Sequence, residues 1–133
     1  MSDALVYLDS SAVIKLIFEE PETPALERFL AAWPNRVSSV LAETEVLRVA
    51  RNVEDAAVTQ HARDVLARIH LIRLDDAMRL AAADIEPSAL RTLDSIHLAT
   101  ALSLGAELAG IVVYDRRLAG AARRAALTVW TPA

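Results

Sequence analysis

The sequence predicts an α/β fold in which a central parallel sheet of about four to five strands is flanked by helices. Short apolar runs, such as residues 4–8 and 110–114, alternate with longer segments whose apolar residues recur at helical spacing. Of the 133 residues, 54% are hydrophobic and only 5% aromatic, which favours a core of Ala, Leu, Val and Ile. No repeat or linker divides the chain, so residues 1–133 are expected to form one domain.

The first half of the chain is predicted to contain two strands and four helices. The apolar run 4–8 is typical of a buried strand, and Ser10 or Ser11 then begins a helix that the acidic, proline-containing residues 19–22 end. Thr23 and Pro24 begin a second helix, and Pro34 breaks it. The predicted elements are strand 4–8, helix 10–18, helix 23–33, strand 36–38, helix 39–52 and helix 54–68.

The second half repeats the alternation of strands and helices. Gly105 occupies the position after a helix where a left-handed residue is favoured, and Pro87 lies in a predicted loop. Residues 110–114 are the clearest buried strand of the chain. The predicted elements are strand 70–74, helix 76–85, helix 93–104, strand 110–114, helix 116–126 and strand 127–130.

The composition excludes several classes of protein. There is no cysteine, which excludes disulfides, thiolate nucleophiles and cysteine-ligated zinc. Residues 1–6 lack the basic stretch of a signal peptide, and no apolar run reaches the roughly 18 residues that span a bilayer. A cytoplasmic protein is therefore expected.

The net charge of −4 argues at first against a polyanionic partner. If four carboxylates are set aside as metal ligands, however, the remaining acids and bases are equal in number, 14 of each. Thirteen of the bases are Arg, which donates bidentate hydrogen bonds to phosphate and stacks on bases. The alternative is that abundant Arg and Ala reflect the coding preferences of the source.

Two aspartates directly follow apolar strands: Asp9 after residues 5–8 and Asp115 after residues 111–114. The carboxyl ends of parallel strands line the ligand crevice of an open sheet, so these carboxylates are expected to be neighbours. Neighbouring carboxylates repel unless a cation or a proton offsets their charge. The alternative for each is an N-cap of the following helix, a position that Asp favours.

Two further acids lie on predicted helices. Asp94 is in the first turn of its helix, where the helix dipole alone would favour it. Glu45 lies in mid-helix and could simply pair with Arg48 at i+3. Glu43 competes with Glu45 for a functional role, and spacing does not choose between these two residues.

Four segments, in order, resemble those of PIN domains: residues 7–16 around Asp9, 37–48 around Glu45, 93–101 around Asp94 and 113–118 around Asp115. The second of these places the acid before Val-Leu-Arg, and this match selects Glu45. The resemblance covers nearly the whole chain and is closest to the VapC toxins of type II toxin–antitoxin pairs. One departure is Val113, where many relatives carry Thr, so no hydroxyl ligand is assigned there.

The resemblance implies a metal-dependent endoribonuclease that hydrolyses RNA phosphodiester bonds and inhibits translation or growth. Asp9, Glu45, Asp94 and Asp115 would be the catalytic, metal-ligating residues, with Asp9 and Asp94 as direct ligands and the other two acting partly through water. Oxygen ligands without cysteine favour Mg²⁺, or Mn²⁺, over zinc. The resemblance also implies a homodimer and a cognate antitoxin that obstructs the acidic pocket.

Other polar residues are more ambiguous. Arg116, Arg117, Lys15 and Ser11 are candidate substrate contacts, although solvated positions or, for Ser11, a helix cap explain them equally well. His97, one turn from Asp94, is interpreted as a structural histidine.

Competing functions fit less well. Haloacid-type phosphatases need a second Asp where Ser11 stands, and a response receiver needs a Lys late in the chain, whereas Lys15 is the only Lys. A non-catalytic binding module is the remaining alternative, and the presence of all four acids argues against it.

Overall fold

A parallel five-stranded sheet lies at the centre of the computed structural model, which describes residues 3–133. The strand order is β3-β2-β1-β4-β5, and every pair of neighbours is parallel. The strands are β1 (Leu5–Leu8), β2 (Arg36–Ser39), β3 (His70–Ile72), β4 (Leu108–Val112) and β5 (Val129–Trp130). The predicted α/β class with a central parallel sheet is confirmed.

Seven α-helices connect these strands within the described residues. They are α1 (Ser10–Ile17), α2 (Thr23–Ala31), α3 (Val40–Arg51), α4 (Ala56–Leu66), α5 (Asp76–Ala83), α6 (Thr92–Leu102) and α7 (Arg116–Arg124). A short 3-10 helix, Gly105–Glu107, precedes β4. Between residues 3 and 133, no helix has the length and apolar character needed to cross a membrane.

The alternation of side chains along β1 divides the core into two layers. Val6 and Leu8 pack on one face with apolar residues of α1, α2, α3 and α4. Tyr7 points to the other face, where it joins Leu98 of α6 and Leu118 of α7. All five of these side chains are almost completely buried, so both faces of the sheet are covered by helices, as parallel sheets require.

Strand β4 differs from the prediction in a way that affects the site. It spans Leu108–Val112 rather than residues 110–114, because Leu108 already pairs with Leu5 of β1. Tyr114 has left the sheet, and its backbone N–H donates to the Ser11 hydroxyl over 3.0 Å. The prediction that Asp115 directly follows the strand is therefore wrong, because Asp115 comes three residues after the end of β4.

Most other elements are shorter than predicted by one or two residues at an end, where the chain turns. Gly105 adopts the predicted left-handed conformation, with φ of 56°. It does not close α6, however, because that helix already ends at Leu102, with Ser103 as its C-cap. Ala126 also has a positive φ, 67°, and α7 ends two residues before it rather than at residue 126. These left-handed residues reverse the chain towards β4 and β5.

Candidate active site

A cavity of about 340 Å³ lies beside the carboxyl end of β1, and all four predicted acids line it. Asp9 follows β1 directly, Glu45 belongs to α3, Asp94 belongs to α6, and Asp115 precedes α7. The remaining lining residues are Ser10, Ser11, Ile14, Arg91, Thr92 and Leu93. The fold thus brings together four carboxylates from positions spread over more than 100 residues of the chain.

Asp9 is the most deeply buried of the four acids, with an exposed fraction of 2%. It is the N-cap of α1, and its Oδ1 accepts hydrogen bonds from the Ser11 hydroxyl (2.6 Å) and the Ala12 backbone N–H (3.1 Å). Burial raises its pKa to about 6, and the hydrogen bond from Ser11 offsets only part of that effect. Asp9 is therefore both a cap and a member of the acidic cavity.

The carboxylate of Glu45 is held at both oxygens. Oε1 lies 2.7 Å from Nε2 of His97, and Oε2 accepts a hydrogen bond from the Ser10 hydroxyl over 3.2 Å. The proposed alternative pairing with Arg48 is not present among the described ion pairs. Glu43 is exposed and does not line the cavity.

Asp94 and Asp115 share one cation, the guanidinium of Arg91. Its Nε donates to Oδ2 of Asp94 over 2.9 Å, and its Nη2 donates to Oδ2 of Asp115 over 3.3 Å. The hydrogen bond to Asp94 and the charges of both acids raise the pKa of Arg91. The other oxygen of Asp115 caps α7 by accepting from the backbone N–H groups of Arg117 and Leu118.

The donor atoms of the cavity fit a hard divalent ion. They are carboxylate and hydroxyl oxygens, with no sulfur. Oδ2 of Asp9 and Oδ1 of Asp94 accept no hydrogen bond from any described residue. Within residues 3–133, however, no three His, Asp or Glu side chains already converge as a metal cage. The acids share a cavity, but Arg91 holds two of them.

The four predicted substrate contacts lie in different places. Ser11 lines the acidic cavity and bridges Asp9 to the backbone of Tyr114. Lys15 instead forms ion pairs with Glu20 (2.6 Å) and Glu22 (3.1 Å).

The two predicted arginine contacts, Arg116 and Arg117, are exposed. They line a second cavity of about 430 Å³ on α7, which Arg124 and Leu90 also line. Neither Lys15 nor Arg116 nor Arg117 lines the acidic cavity.

Two contributions to this site were missed in the sequence. Arg91 had no predicted role, although its position three residues before Asp94 allows an i,i+3 ion pair once a helix is assumed. His97 was predicted to be structural, and it is fully buried, but its contact with Glu45 was not foreseen. A helical spacing of three places His97 near Asp94, whereas its actual partner is 52 positions away.

Comparison with protein families shows a match to the PIN domain over residues 6–124. Ribonuclease VapC46 of Mycobacterium tuberculosis is 43% identical over 129 residues, which cover 97% of this chain and 98% of the relative. Ribonuclease VapC47 of the same species is 33% identical, with 96% of this chain and 97% of the relative covered.

Solved structures share the fold at low sequence identity. M. tuberculosis VapC20, described as a toxin that cleaves the sarcin-ricin loop, superposes with a TM-score of 0.70 at 14% identity and covers 92% of this chain and 96% of its own. A chain of a toxin–antitoxin complex from Klebsiella pneumoniae has a TM-score of 0.68 at 21% identity, covering 83% of this chain and 86% of its own. The family match and the identity with the two VapC ribonucleases establish that the chain belongs to the PIN-domain family, among its VapC-type members.

Proposed function

We propose that this protein is a metal-dependent endoribonuclease that hydrolyses RNA phosphodiester bonds and acts as the toxin of a toxin–antitoxin pair. The observation that carries the proposal is the convergence of Asp9, Glu45, Asp94 and Asp115 on one cavity. The chain is also 43% identical to a relative named as a ribonuclease, over almost its whole length. Both observations point to chemistry on RNA at the acidic cavity.

The four carboxylates would hold Mg²⁺ or Mn²⁺. Asp9 and Asp94 suit direct ligation, because each has one oxygen without a hydrogen bond from the described residues. Glu45 and Asp115, whose oxygens are more fully engaged, suit contacts through water. A divalent ion held by these residues would supply two things, a more nucleophilic water for in-line attack on phosphorus and positive charge to offset that on the phosphate oxygens.

The residues around these acids would keep the site in place during this reaction. The Ser11 hydroxyl fixes one oxygen of Asp9, which leaves the other oxygen directed away from the cap. His97 and Ser10 fix the Glu45 carboxylate from opposite oxygens. The burial of Asp9 strengthens its interaction with a cation, because solvent screening is weak there.

The wider biological role follows from the family. A cytoplasmic location would give the enzyme access to its RNA substrate, and cleavage there would inhibit translation or growth. A cognate antitoxin would neutralise the enzyme by obstructing the acidic cavity, and the enzyme would form a homodimer. We assign residues 1–133 as a whole to this one nuclease domain.

The test is cleavage of total RNA by purified protein with Mg²⁺ or Mn²⁺, with and without EDTA. Wild-type protein should cleave only when metal is present, and Asp9→Asn should lose cleavage while remaining folded, as judged by circular dichroism. Cleavage by Asp9→Asn at the parental rate, in preparations free of contaminating nuclease, would contradict the site. Sequencing the RNA ends that appear after brief induction in cells would then identify the substrate.

A further inference from the structure

Arg91 is the only cationic side chain among the described residues that line the acidic cavity. It precedes α6 directly, and its guanidinium joins two acids that belong to different elements, Asp94 of α6 and Asp115 at the start of α7. The two contacts are made by different nitrogens, Nε and Nη2. Arg91 therefore bridges the two sides of the cavity.

The bridge gives these acids the counter-charge that neighbouring carboxylates need. The side chain of Asp94 is only 11% exposed and that of Asp115 is 32% exposed, so water alone solvates them incompletely. One cationic group thus already contacts two of the four acids that would hold a divalent ion. This arrangement is consistent with the absence of a ready-made cage of three ligands within residues 3–133.

The bridge is also easy to release. The Arg91 side chain is 63% exposed, so water can solvate its guanidinium once it leaves the two acids, and holding a long side chain in one geometry costs conformational entropy. No other described hydrogen bond holds its guanidinium. The head group can therefore leave the carboxylates without disturbing the core.

We propose that Arg91 is an internal counter-ion that competes with the divalent metal for Asp94 and Asp115, so that metal binding displaces its guanidinium. This inference rests on the proposed metal-dependent function of the same cavity. In the structure, the single positive charge of the guanidinium offsets part of the negative charge of Asp94 and Asp115. The metal-bound form has the same acids, with the guanidinium released to solvent. Arg91 is a positioning residue in this scheme and sets the metal concentration at which the site fills.

The first measurement is Mn²⁺ affinity, followed by electron paramagnetic resonance, for wild type, Arg91→Ala and Arg91→Lys. Arg91→Ala should bind Mn²⁺ about five- to tenfold more tightly, because it removes both the competing donor and one nearby positive charge. Arg91→Lys keeps the charge but cannot bridge both acids with a planar fork, so intermediate affinity is expected.

Arg79→Ala is the matched control. Arg79 pairs with Asp76 at the same i,i+3 spacing, over 3.3 Å, and its side chain is similarly exposed at 58%. The Arg79→Ala variant loses one positive charge at a position outside the acidic cavity, so its Mn²⁺ affinity should equal that of wild type. Unchanged or weaker affinity in Arg91→Ala would overturn the inference. No binding in any variant would instead contradict the metal site itself.

The second measurement separates displacement from a simple change of charge. Titration of wild type with diamagnetic Mg²⁺ should shift the Arg91 Nε–H signal in a ¹H–¹⁵N spectrum and speed its exchange with water. The signal is assigned by its loss in Arg91→Lys. A signal that stays unchanged when Mg²⁺ saturates the protein would show that the guanidinium is not displaced, even if the affinity change were present.

Discussion

Nε2 of His97 lies 2.7 Å from Oε1 of Glu45, and Nδ1 of the same ring lies 2.7 Å from the hydroxyl of Tyr7. Burial raises the pKa of Tyr7, so its hydroxyl keeps its proton. A carboxylate can only accept, so the N–H of Nε2 donates to Glu45. The core of the protein thus orients one of the acids of the cavity through a single buried ring.

Replacement of His97 should affect both stability and cleavage. The ring is completely buried, so His97→Ala leaves a cavity and removes the partners of Tyr7 and Glu45. We expect a loss of about 2–4 kcal/mol in the free energy of unfolding, measured by urea denaturation, and a lower kcat. His97→Gln, which can still hydrogen-bond Glu45, should retain more activity than His97→Ala.

The control for this prediction is His61→Ala. His61 is exposed, so its replacement should change the free energy of unfolding by no more than about 0.5 kcal/mol. Equal kcat values for wild type and His97→Ala would show that Glu45 does not need this contact.

The stability of metal-free protein should depend on pH through Asp9. Its pKa of about 6 in the folded protein lies above the value of about 3.9 expected when unfolded. The folded state therefore holds the proton more tightly, and the stabilisation present below about pH 4 is lost as the pH rises through 6. In EDTA at pH 7.5, Asp9→Asn should be about 1–3 kcal/mol more stable than wild type.

The same comparison at pH 4 supplies the control, because Asp9 is then protonated in the folded state and about half protonated when unfolded, so most of the difference in stability should be gone. An equal difference at both pH values would mean that ionisation of Asp9 is not the cause. Added Mn²⁺ at pH 7.5 should raise the Tm of wild type more than that of Asp9→Asn.

Glu45 and Glu43 provide a matched pair for the site assignment. They are two residues apart on α3, but only Glu45 lines the cavity, whereas Glu43 is exposed. Glu45→Gln should lower kcat for RNA cleavage by about a hundredfold or more, because it removes a negative charge that would help to hold the metal ion. Glu43→Gln should cleave like wild type, and the reverse result would transfer the role to Glu43.

Gly110 is required where β4 passes β5. A Cβ atom there would lie 2.6 Å from the ring of Trp130 and 2.7 Å from the carbonyl oxygen of Thr128. Gly110→Ala should therefore destabilise the protein by about 1–3 kcal/mol. Gly120→Ala, in α7 with open space around the added methyl group, should instead be neutral or stabilise by up to about 1 kcal/mol. Both values can be measured by urea denaturation.

Local patterns were enough to predict most of the secondary structure. Apolar runs such as the one before Asp9 identify buried strands, and residues such as Ser39 and Asp115 cap helices in the structure. The ends of elements were less predictable, because pairing between strands decides them. Strand β4 begins at Leu108, two residues before the predicted start, because Leu108 pairs with Leu5 of β1.

Charge and burial could not be assigned in the same way. The sequence alone left Glu43 and Glu45 equivalent, and only the resemblance to PIN domains selected one of them. In the structure, Glu45 faces the cavity because the rotation of α3 places Val46 and Ala50 in the core. The side on which a helix residue lies depends on which face its apolar neighbours bury, and that requires the packed fold.

The order of residues alone indicated the alternation of strands and helices, the absence of cysteine chemistry and a small set of acids that could share a site, with Glu43 and Glu45 as alternatives. The packed fold was needed to show that four of these acids line one cavity, that His97 contacts Glu45 and that Arg91 bridges Asp94 and Asp115. Local order arises from interactions between neighbours in the chain, which can be recognised by spacing. The cavity arises from contacts between residues up to 103 positions apart, such as Ser11 with Tyr114, and these exist only when the sheet has formed.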